Sequence, residues 1–331
     1  MTRRADGVPS SATPVRGAGI YEVVRWVVLV LLMAPAGRVG AFGFEGRPKW
    51  KGTPRPITFV INMAHVPATI SQEQYVAFLK DALKPWADVD TADLQVAISE
   101  EIIRDADANQ PQADGVNMIL WNSGAVPKSA MTWGRAYPFE KECDILVELT
   151  TPFTLANIRN TLTHEFGHCL GLAHSTAMAS MARYSHYLVG LTQDDRAAVS
   201  IVFPNDARPL RETTATLTGR VVTGAGDALV GAVLSVSDRV EGRVAVSGFS
   251  GLVDQQRRRD ASGAFELPGI PPGEHYQLLL QPMDMYGGIQ DGHHGAPAND
   301  TPRFRPVAVE LPALKAGEVK PLGKLIVETL D

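Results

Sequence analysis

The stretch that decides the fold is residues 164–174, His-Glu-Phe-Gly-His-Cys-Leu-Gly-Leu-Ala-His. On a helix, His164 and His168 lie one turn apart on the same face, so both imidazoles can reach one metal ion. Glu165 stands beside the first histidine, where a carboxylate can act on a water at that metal. Gly171 stands where the helix should end, because a left-handed backbone at that point costs glycine little.

His174, three residues beyond the glycine, completes a set of three nitrogen ligands. Three protein ligands leave a fourth position open for water, which is typical of a catalytic rather than a structural zinc site. We therefore predict a catalytic zinc ion held by His164, His168 and His174, with Glu165 as the general base. A core helix that merely carries histidines is the alternative, and the five-point spacing disfavours it.

The motif resembles that of the metzincin metalloproteases, and the residues after it resemble the matrixin branch. His174 is followed by Ser175, by a loop that contains methionines, and by Leu-Thr-Gln-Asp-Asp at residues 191–195. The resemblance implies a methionine turn, whose side chain forms an apolar floor beneath the ligand histidines. Met181 is the first candidate for this role and Met178 the second.

The chain departs from the matrixin pattern directly after Met181, where Ala-Arg-Tyr replaces the usual Tyr-Pro. The wall of the pocket for the substrate side chain just after the cut should therefore differ. Tyr184 and Tyr187 are candidates to stabilise the oxyanion, as a tyrosine does in some metzincins. Their spacing from Met181 does not match that pattern, and it favours packing or surface tyrosines.

The predicted elements follow the metzincin order, and they define an α+β catalytic domain: a twisted mixed sheet with a zinc-binding helix. Alternating or β-branched runs predict the strands, and apolar stripes predict the helices. The strands are 56–62, 94–98, 116–121 and 143–149, with a substrate-pairing edge strand around 131–137; the helices are 71–84, 154–170 and 191–203. Thr192 and Asp195 are expected to cap the last helix, and by family resemblance Asp194 and Asp195 brace the methionine turn.

From about residue 213 the pattern changes to short strands with Gly/Pro turns, which predicts a small antiparallel β-sandwich. Gly-Arg-Val-Val at 219–222, Gly-Ala-Val-Leu at 231–234 and the segment 260–273 resemble a carboxypeptidase-regulatory-like (transthyretin-like) domain. That resemblance implies a structural, spacing or adhesive role, including an unknown extracellular partner. The predicted strands are 216–223, 229–237, 263–267, 275–281, 307–311 and 324–327.

Residues 1–41 have the pattern of a secretory signal, with a basic front, a short apolar core and small residues before Ala41. The apolar run 26–36 is too short to span a bilayer comfortably, and an uncleaved anchor is the alternative. We divide the rest into a catalytic domain, 42–207, and a linker with β-domain, 208–331. The expected location is secreted, periplasmic or at the cell surface, without a stable membrane span after cleavage.

The two cysteines, Cys143 and Cys169, either pair in an exported protein or remain as separate buried thiols. The run Asp105-x-Asp107-x-Asn109 resembles the start of a calcium loop. It lacks the glycine at position six and the glutamate at position twelve, so the sequence leaves both a calcium site and an acidic surface loop open.

Together these patterns predict an exported zinc endopeptidase that acts on protein or peptide substrates. The net charge of −5 is mild and favours neither nucleic acid nor an anionic membrane surface as a partner, so we expect no nucleic acid. A secreted adhesion or matrix-binding protein with a degenerate zinc domain would be expected to lose Glu165, which is present. A zinc-dependent hydrolase of non-peptide amides is a third interpretation, which the sequence does not separate from the first.

Overall fold

The computed structural model describes residues 50, 55–124, 134–148, 155–182, 190–251, 261–283 and 302–330. The predicted signal segment, Tyr184 and Tyr187, and the first residues of the predicted edge strand lie outside the described residues. Both predicted domains belong to one compact unit. None of the helices within the described ranges is long and apolar enough to cross a membrane.

A five-stranded mixed sheet forms the framework of the first domain, in the strand order β2-β1-β3-β5-β4. Four of its strands run parallel, and β4 pairs antiparallel with β5 at the edge. The bounds are β1 Ile57–Asn62, β2 Val96–Ile103, β3 Asn117–Trp121, β4 Gly134–Pro138 and β5 Cys143–Val147. The predicted mixed sheet is confirmed, and β4 includes the whole described part of the predicted edge strand, residues 134–137.

The described part of the first domain has three main helices, α1 Gln72–Ala87, α2 Leu155–Cys169 and α3 Gln193–Val202. A capping box at Ser71 begins α1, and the predicted box of Thr192 and Asp195 begins α3. Helix α2 packs on α1 and the sheet: Trp86 donates its indole N–H to the Thr163 carbonyl at 2.9 Å, and Phe59 meets Phe166 edge-on at 5.0 Å. This apolar contact fixes the predicted metal-binding helix against the core.

The second domain consists of two sheets, ordered β11-β10-β7-β8 and β12-β6-β9, after a short helix α4, Leu210–Thr213. Its pairs are antiparallel except that β12 runs parallel to β6, which corrects the fully antiparallel expectation. Strand β8 was not predicted, because its Ser247-Gly248 pair is typical of a turn. The strands are β6 Ala215–Thr223, β7 Val233–Asp238, β8 Val244–Phe249, β9 Ala264–Ile270, β10 Tyr276–Gln281, β11 Val307–Glu310 and β12 Val319–Val327.

A disulfide joins Cys143, the first residue of β5, to Cys169, the last residue of α2. The sequence had left this pairing open. The Cys169 carbonyl also accepts the indole N–H of Trp50 at 2.9 Å. The end of helix α2 is therefore tied to β5 by the disulfide and to the segment before β1 by the Trp50 hydrogen bond.

One buried carboxyl beside this bridge should make stability depend on pH. Burial raises the pKa of Asp144 to about 7 from an ordinary 3.8, against hydrogen bonds from the Gln112 and Met118 amides. Between pH 3.8 and about 7 the folded protein keeps the Asp144 proton that the unfolded chain releases. The contribution of this carboxyl to the free energy of unfolding therefore falls as pH rises through that window. From pH 6 to pH 8 the wild type should lose about 1 kcal/mol of unfolding free energy relative to Asp144→Asn.

Urea unfolding of both proteins at pH 6 and pH 8 measures this difference, and histidine contributions cancel because both chains share them. Asp227→Asn is the matched control, since Asp227 is exposed. A wild-type-minus-variant difference that stays constant across the two pH values would contradict the prediction.

Candidate metal centre

The three predicted ligand histidines converge on one point, because α2 presents two of them and the following loop presents the third. Nε2 of His168 lies 3.0 Å from Nε2 of His164 and 3.3 Å from Nε2 of His174. Zinc–nitrogen bonds of about 2.0–2.1 Å in tetrahedral geometry place ligand nitrogens about 3.3 Å apart. Within the described ranges this is the one cluster of three or more His, Cys, Asp or Glu with metal-ligand spacing.

Backbone carbonyls set the tautomers of the two helical histidines. Nδ1 of His164 lies 2.6 Å from the Ser180 carbonyl, and Nδ1 of His168 lies 2.8 Å from the Leu172 carbonyl. A carbonyl can only accept, so each Nδ1 carries the proton and each Nε2 turns a lone pair inward. Two lone pairs 3.0 Å apart repel each other unless a cation lies between them. The donor set therefore fits a zinc ion.

Gly171 ends the helix in the way the sequence predicts, with a φ of 97°. Its N–H donates to the His168 carbonyl at 2.9 Å, and the Leu172 N–H donates to the Gly167 carbonyl at 3.0 Å. These two bonds form a Schellman motif, which needs a left-handed residue at this place. The turn also delivers the Leu172 carbonyl to His168 and reverses the chain toward His174.

Met181, rather than Met178, lies beneath the ligands. Met181 is 2% exposed, whereas Met178 is 81% exposed. A side chain added at Gly167 would overlap the Met181 sulfur and would lie 2.9 Å from a ring carbon of Trp86. The methionine thus fills the space that a glycine in the helix leaves open, one residue before the ligand His168.

The adjacent acidic residues at the start of α3 hold the loops around the site. Asp195 accepts the amide N–H groups of Ser180 and Met181, at 2.8 and 2.9 Å, and also caps its own helix through Thr192. Because the Ser180 carbonyl orients His164, this carboxylate braces the methionine turn and a ligand together. Burial raises the pKa of Asp195, and these hydrogen bonds oppose that shift.

Asp194 is buried beside Asp195 but faces other partners. It accepts the Ser175 hydroxyl at 2.5 Å and the Ser247 amide N–H at 2.6 Å. Burial raises the pKa of Asp194 to about 7; the Ser175 bond opposes the shift and the charge on Asp195 adds to it. The family resemblance had implied one shared role for the two residues, whereas the structure gives each its own loop.

Glu165 is buried on α2 next to His164, and its Oε2 accepts the backbone N–H of Ala136 at 2.7 Å. Ala136 belongs to the edge strand β4, so the carboxylate is held between the metal ligands and the sheet edge. A side chain at Gly134 would lie 3.1 Å from Cγ of Glu165 and 2.7 Å from Thr161. Sequence reasoning did not find these supports, because backbone donors and close approaches leave no residue pattern.

The candidate calcium loop, residues 105–109, uses its polar side chains for hydrogen bonds to backbone groups. Oδ1 of Asp105 accepts the amide N–H groups of Asp107 and Ala108, at 2.8 and 3.3 Å. Asn109 is buried and donates to the Trp121 carbonyl at 2.8 Å. Asn62 of β1 also donates its side-chain amide to the Asp105 carbonyl at 2.7 Å, so the turn is tied to the sheet, and the two alternatives of a calcium site and an acidic surface loop both stay open.

Three converging histidines lie beside a buried glutamate at the edge of a mixed sheet. This arrangement defines a zinc metalloendopeptidase domain. Comparison with known families agrees: residues 49–203 match the family described as Matrixin. This part of the chain is a matrixin domain, a family that implies a catalytic zinc ion, and the three histidines are the residues that could hold it. The comparison with curated proteins finds no match.

Solved structures show only weak similarity. BcpA, the major pilin subunit of Bacillus cereus, is 14% identical with a TM-score of 0.22, over 36% of this chain and 31% of that one. A 9R-lipoxygenase from Cyanothece is 15% identical with a TM-score of 0.21, over 35% and 17%. The Bacillus anthracis TIE protein is 20% identical with a TM-score of 0.20, over 36% and 17%. The chain therefore spans a third or less of these three structures.

Proposed function

We propose that this chain is an exported zinc endopeptidase that hydrolyses peptide bonds in protein or peptide substrates. The observation that carries the proposal is the placement of Glu165, which lies next to a ligand histidine and is bonded to the edge strand β4. A protein that used this domain only for adhesion would gain nothing from a buried carboxylate aimed at the metal site. The resemblance to matrixins and the presence of Glu165 favour catalysis.

The chemistry divides between the metal and the chain. His164, His168 and His174 would hold the zinc ion, which would supply Lewis acidity toward the scissile carbonyl and lower the pKa of the attacking water. Glu165 takes the proton of the attacking water as the new C–O bond forms. It then passes that proton to the amine nitrogen as the C–N bond breaks, which balances the hydrolysis.

The edge strand β4 supports an extended substrate. Among the described strands β4 pairs with β5 alone, and Ala136 directs its N–H away from β5 to Glu165. A strand residue points its N–H and C=O to the same side, so the Ala136 carbonyl also faces the open edge. We propose that a peptide adds there as a further strand, which brings its scissile bond to the zinc.

The change Ala136→Pro should remove the hydrogen bond from the Ala136 N–H to Glu165 and leave the pairing of β4 with β5 in place. Proline removes the N–H that Glu165 accepts, while the ladder bonds to β5 come from neighbouring residues and proline is tolerated at edges. We expect kcat/KM to fall about tenfold or more, since a hydrogen bond to a charged group contributes about 1.5–3 kcal/mol. Ala136→Gly, which keeps the N–H, is the control; equal activity of the two variants would contradict the prediction.

Export is the part of the proposal that rests on sequence and on cysteine usage. The segment 1–41 has the pattern of a signal, and a disulfide between Cys143 and Cys169 suits an oxidising compartment. We expect the host to release a chain that begins near residue 42, as measured by the intact mass of the protein outside the cytosol. A full-length chain retained in the cytosol would contradict export.

Cleavage of an unbiased peptide library by the zinc-loaded protein tests the reaction itself. Cuts within peptides, lost on chelation and restored by zinc, are the expected result. Turnover confined to non-peptide amides would favour the other hydrolase class.

We propose for the β-domain an extracellular partner of its own, and binding by full-length protein with zinc removed would test that role separately.

A further inference from the structure

The loop that carries the third histidine contacts the C-terminal β-domain through a buried carboxylate, and the Ser175 and Ser247 hydroxyls also lie 3.3 Å apart. Asp194 accepts the hydroxyl of Ser175 with one oxygen and the amide N–H of Ser247 with the other. Ser175 directly follows His174, and Ser247 lies in β8 of the second domain. Two hydrogen bonds therefore connect a strand of the β-domain to the residue beside a metal ligand.

Other contacts hold the β-domain against α3 near this carboxylate. Gln193 donates its side-chain amide to the Gly269 carbonyl at 2.8 Å. Gly269 has a φ of 96° and leaves no room for a side chain against Ala197. Arg211 in α4 forms an ion pair with Glu266 of β9. These contacts place Ser247 where its N–H meets Asp194.

The His174 loop needs such support more than the other ligands do. His164 and His168 are fixed by the turns of α2, whereas His174 follows the helix and depends on the fold of its own loop. Ser175 organises that loop: its amide donates to the Met181 carbonyl at 2.8 Å and its hydroxyl accepts the Ala177 amide at 2.9 Å. The same hydroxyl donates to Asp194, which links the loop to the second domain.

We infer that the C-terminal β-domain is a positioning part of the metal centre: β8, acting through the Ser247 amide and the Asp194 carboxylate, holds the His174 loop in its ligating geometry. Asp194 is thus a positioning residue that acts on zinc through Ser175 and His174. The inference rests on the zinc site of the proposed function and does not depend on which substrate is cut.

The test measures zinc release from the full-length protein into excess chelator for Asp194→Ala and Asp194→Asn. Alanine removes both bonds. Asparagine keeps them, because its oxygen accepts from Ser247 and its amide donates to Ser175. Outer-shell supports of metal ligands are commonly worth 10–100-fold in metal affinity. We expect Asp194→Ala to release zinc at least about tenfold faster, and Asp194→Asn to stay within about threefold of the wild type.

Ser235→Ala is the matched control, because Ser235 pairs with Ser247 across β7 and β8 but lies outside the link to Asp194. The visible spectrum of the cobalt-substituted proteins provides a second readout, since it reports the ligand set without any substrate. We expect an altered spectrum for Asp194→Ala only. Circular dichroism establishes that each variant is folded.

Should Asp194→Ala fail to fold, Ser175→Ala replaces it, because that change breaks the tie to the loop and leaves the Asp194–Ser247 bond in place. Wild-type zinc release from a folded Asp194→Ala or Ser175→Ala protein would overturn the inference. Equally accelerated zinc release from Asp194→Ala and Asp194→Asn would also overturn the inference, because it would show that the charge of Asp194 alone matters. A protein that cuts no peptide yet shows the expected release rates would support the inference and contradict the proposed peptidase.

Discussion

Glu165→Gln should leave zinc bound and nearly abolish peptide cleavage. Glutamine has the same shape, and its carbonyl oxygen can still accept the Ala136 N–H, so the site should stay assembled. Its amide cannot take a proton from water. General acid–base catalysis of this kind contributes about 10²–10⁴-fold, and we expect kcat to fall by that factor with about one zinc per chain in both proteins.

The matched control is Glu100→Gln, which makes the same chemical change at an exposed position of β2. Initial rates on one peptide substrate and zinc content by atomic absorption are measured side by side. A Glu165→Gln protein that keeps zinc and more than about a tenth of the wild-type kcat would contradict the role of Glu165 as proton carrier. Loss of zinc in that variant would instead reveal a structural role for the carboxylate.

Removing the disulfide with the double change Cys143→Ala and Cys169→Ala should destabilise the protein by about 3 kcal/mol. The bridge spans 26 residues, so it restricts a sizeable loop in the unfolded chain. It also joins β5 to the end of α2, one residue beyond the ligand His168. The urea midpoint of the zinc-free double variant should therefore fall clearly below that of the oxidised wild type.

Wild-type protein reduced with a phosphine provides the control, because reduction breaks the same bond without changing the side-chain packing much. Its midpoint should fall in the same direction as that of the double variant. A double variant as stable as the oxidised wild type would contradict the prediction, and would mean that the native contacts around Cys143 and Cys169 suffice without the covalent link.

The parts of the site that local sequence determines could be predicted. His164 and His168 follow from helical spacing, and Gly171 follows from the left-handed turn that returns His174. The choice between Met181 and Met178 could not be derived from spacing alone, because it depends on which methionine packs against Gly167 and Trp86. The pairing of Cys143 with Cys169 was left open for a similar reason, since it depends on where β5 lies relative to α2.

Contacts between distant segments could not be read from the sequence. Glu165 binds the backbone of Ala136, and backbone amides look the same at every position of the chain. Strand β8 contains a Ser-Gly pair that is typical of a turn, so neither the strand nor its bond to Asp194 was foreseen. The sequence resemblance implied a structural, spacing or adhesive role for the β-domain, whereas the structure places one of its amides two hydrogen bonds from the loop of a predicted zinc ligand.

The contact between Asp194 and Ser247 also fixes an order of events during biosynthesis. Asp194 precedes Ser247 by 53 residues. A chain that is made, or threaded through a membrane, from its N-terminus therefore presents all three histidines before the strand that supports the last of them. Until residue 247 has emerged, the His174 loop lacks the support that we infer from β8, and a ribosome that still holds the second domain would delay maturation of the first.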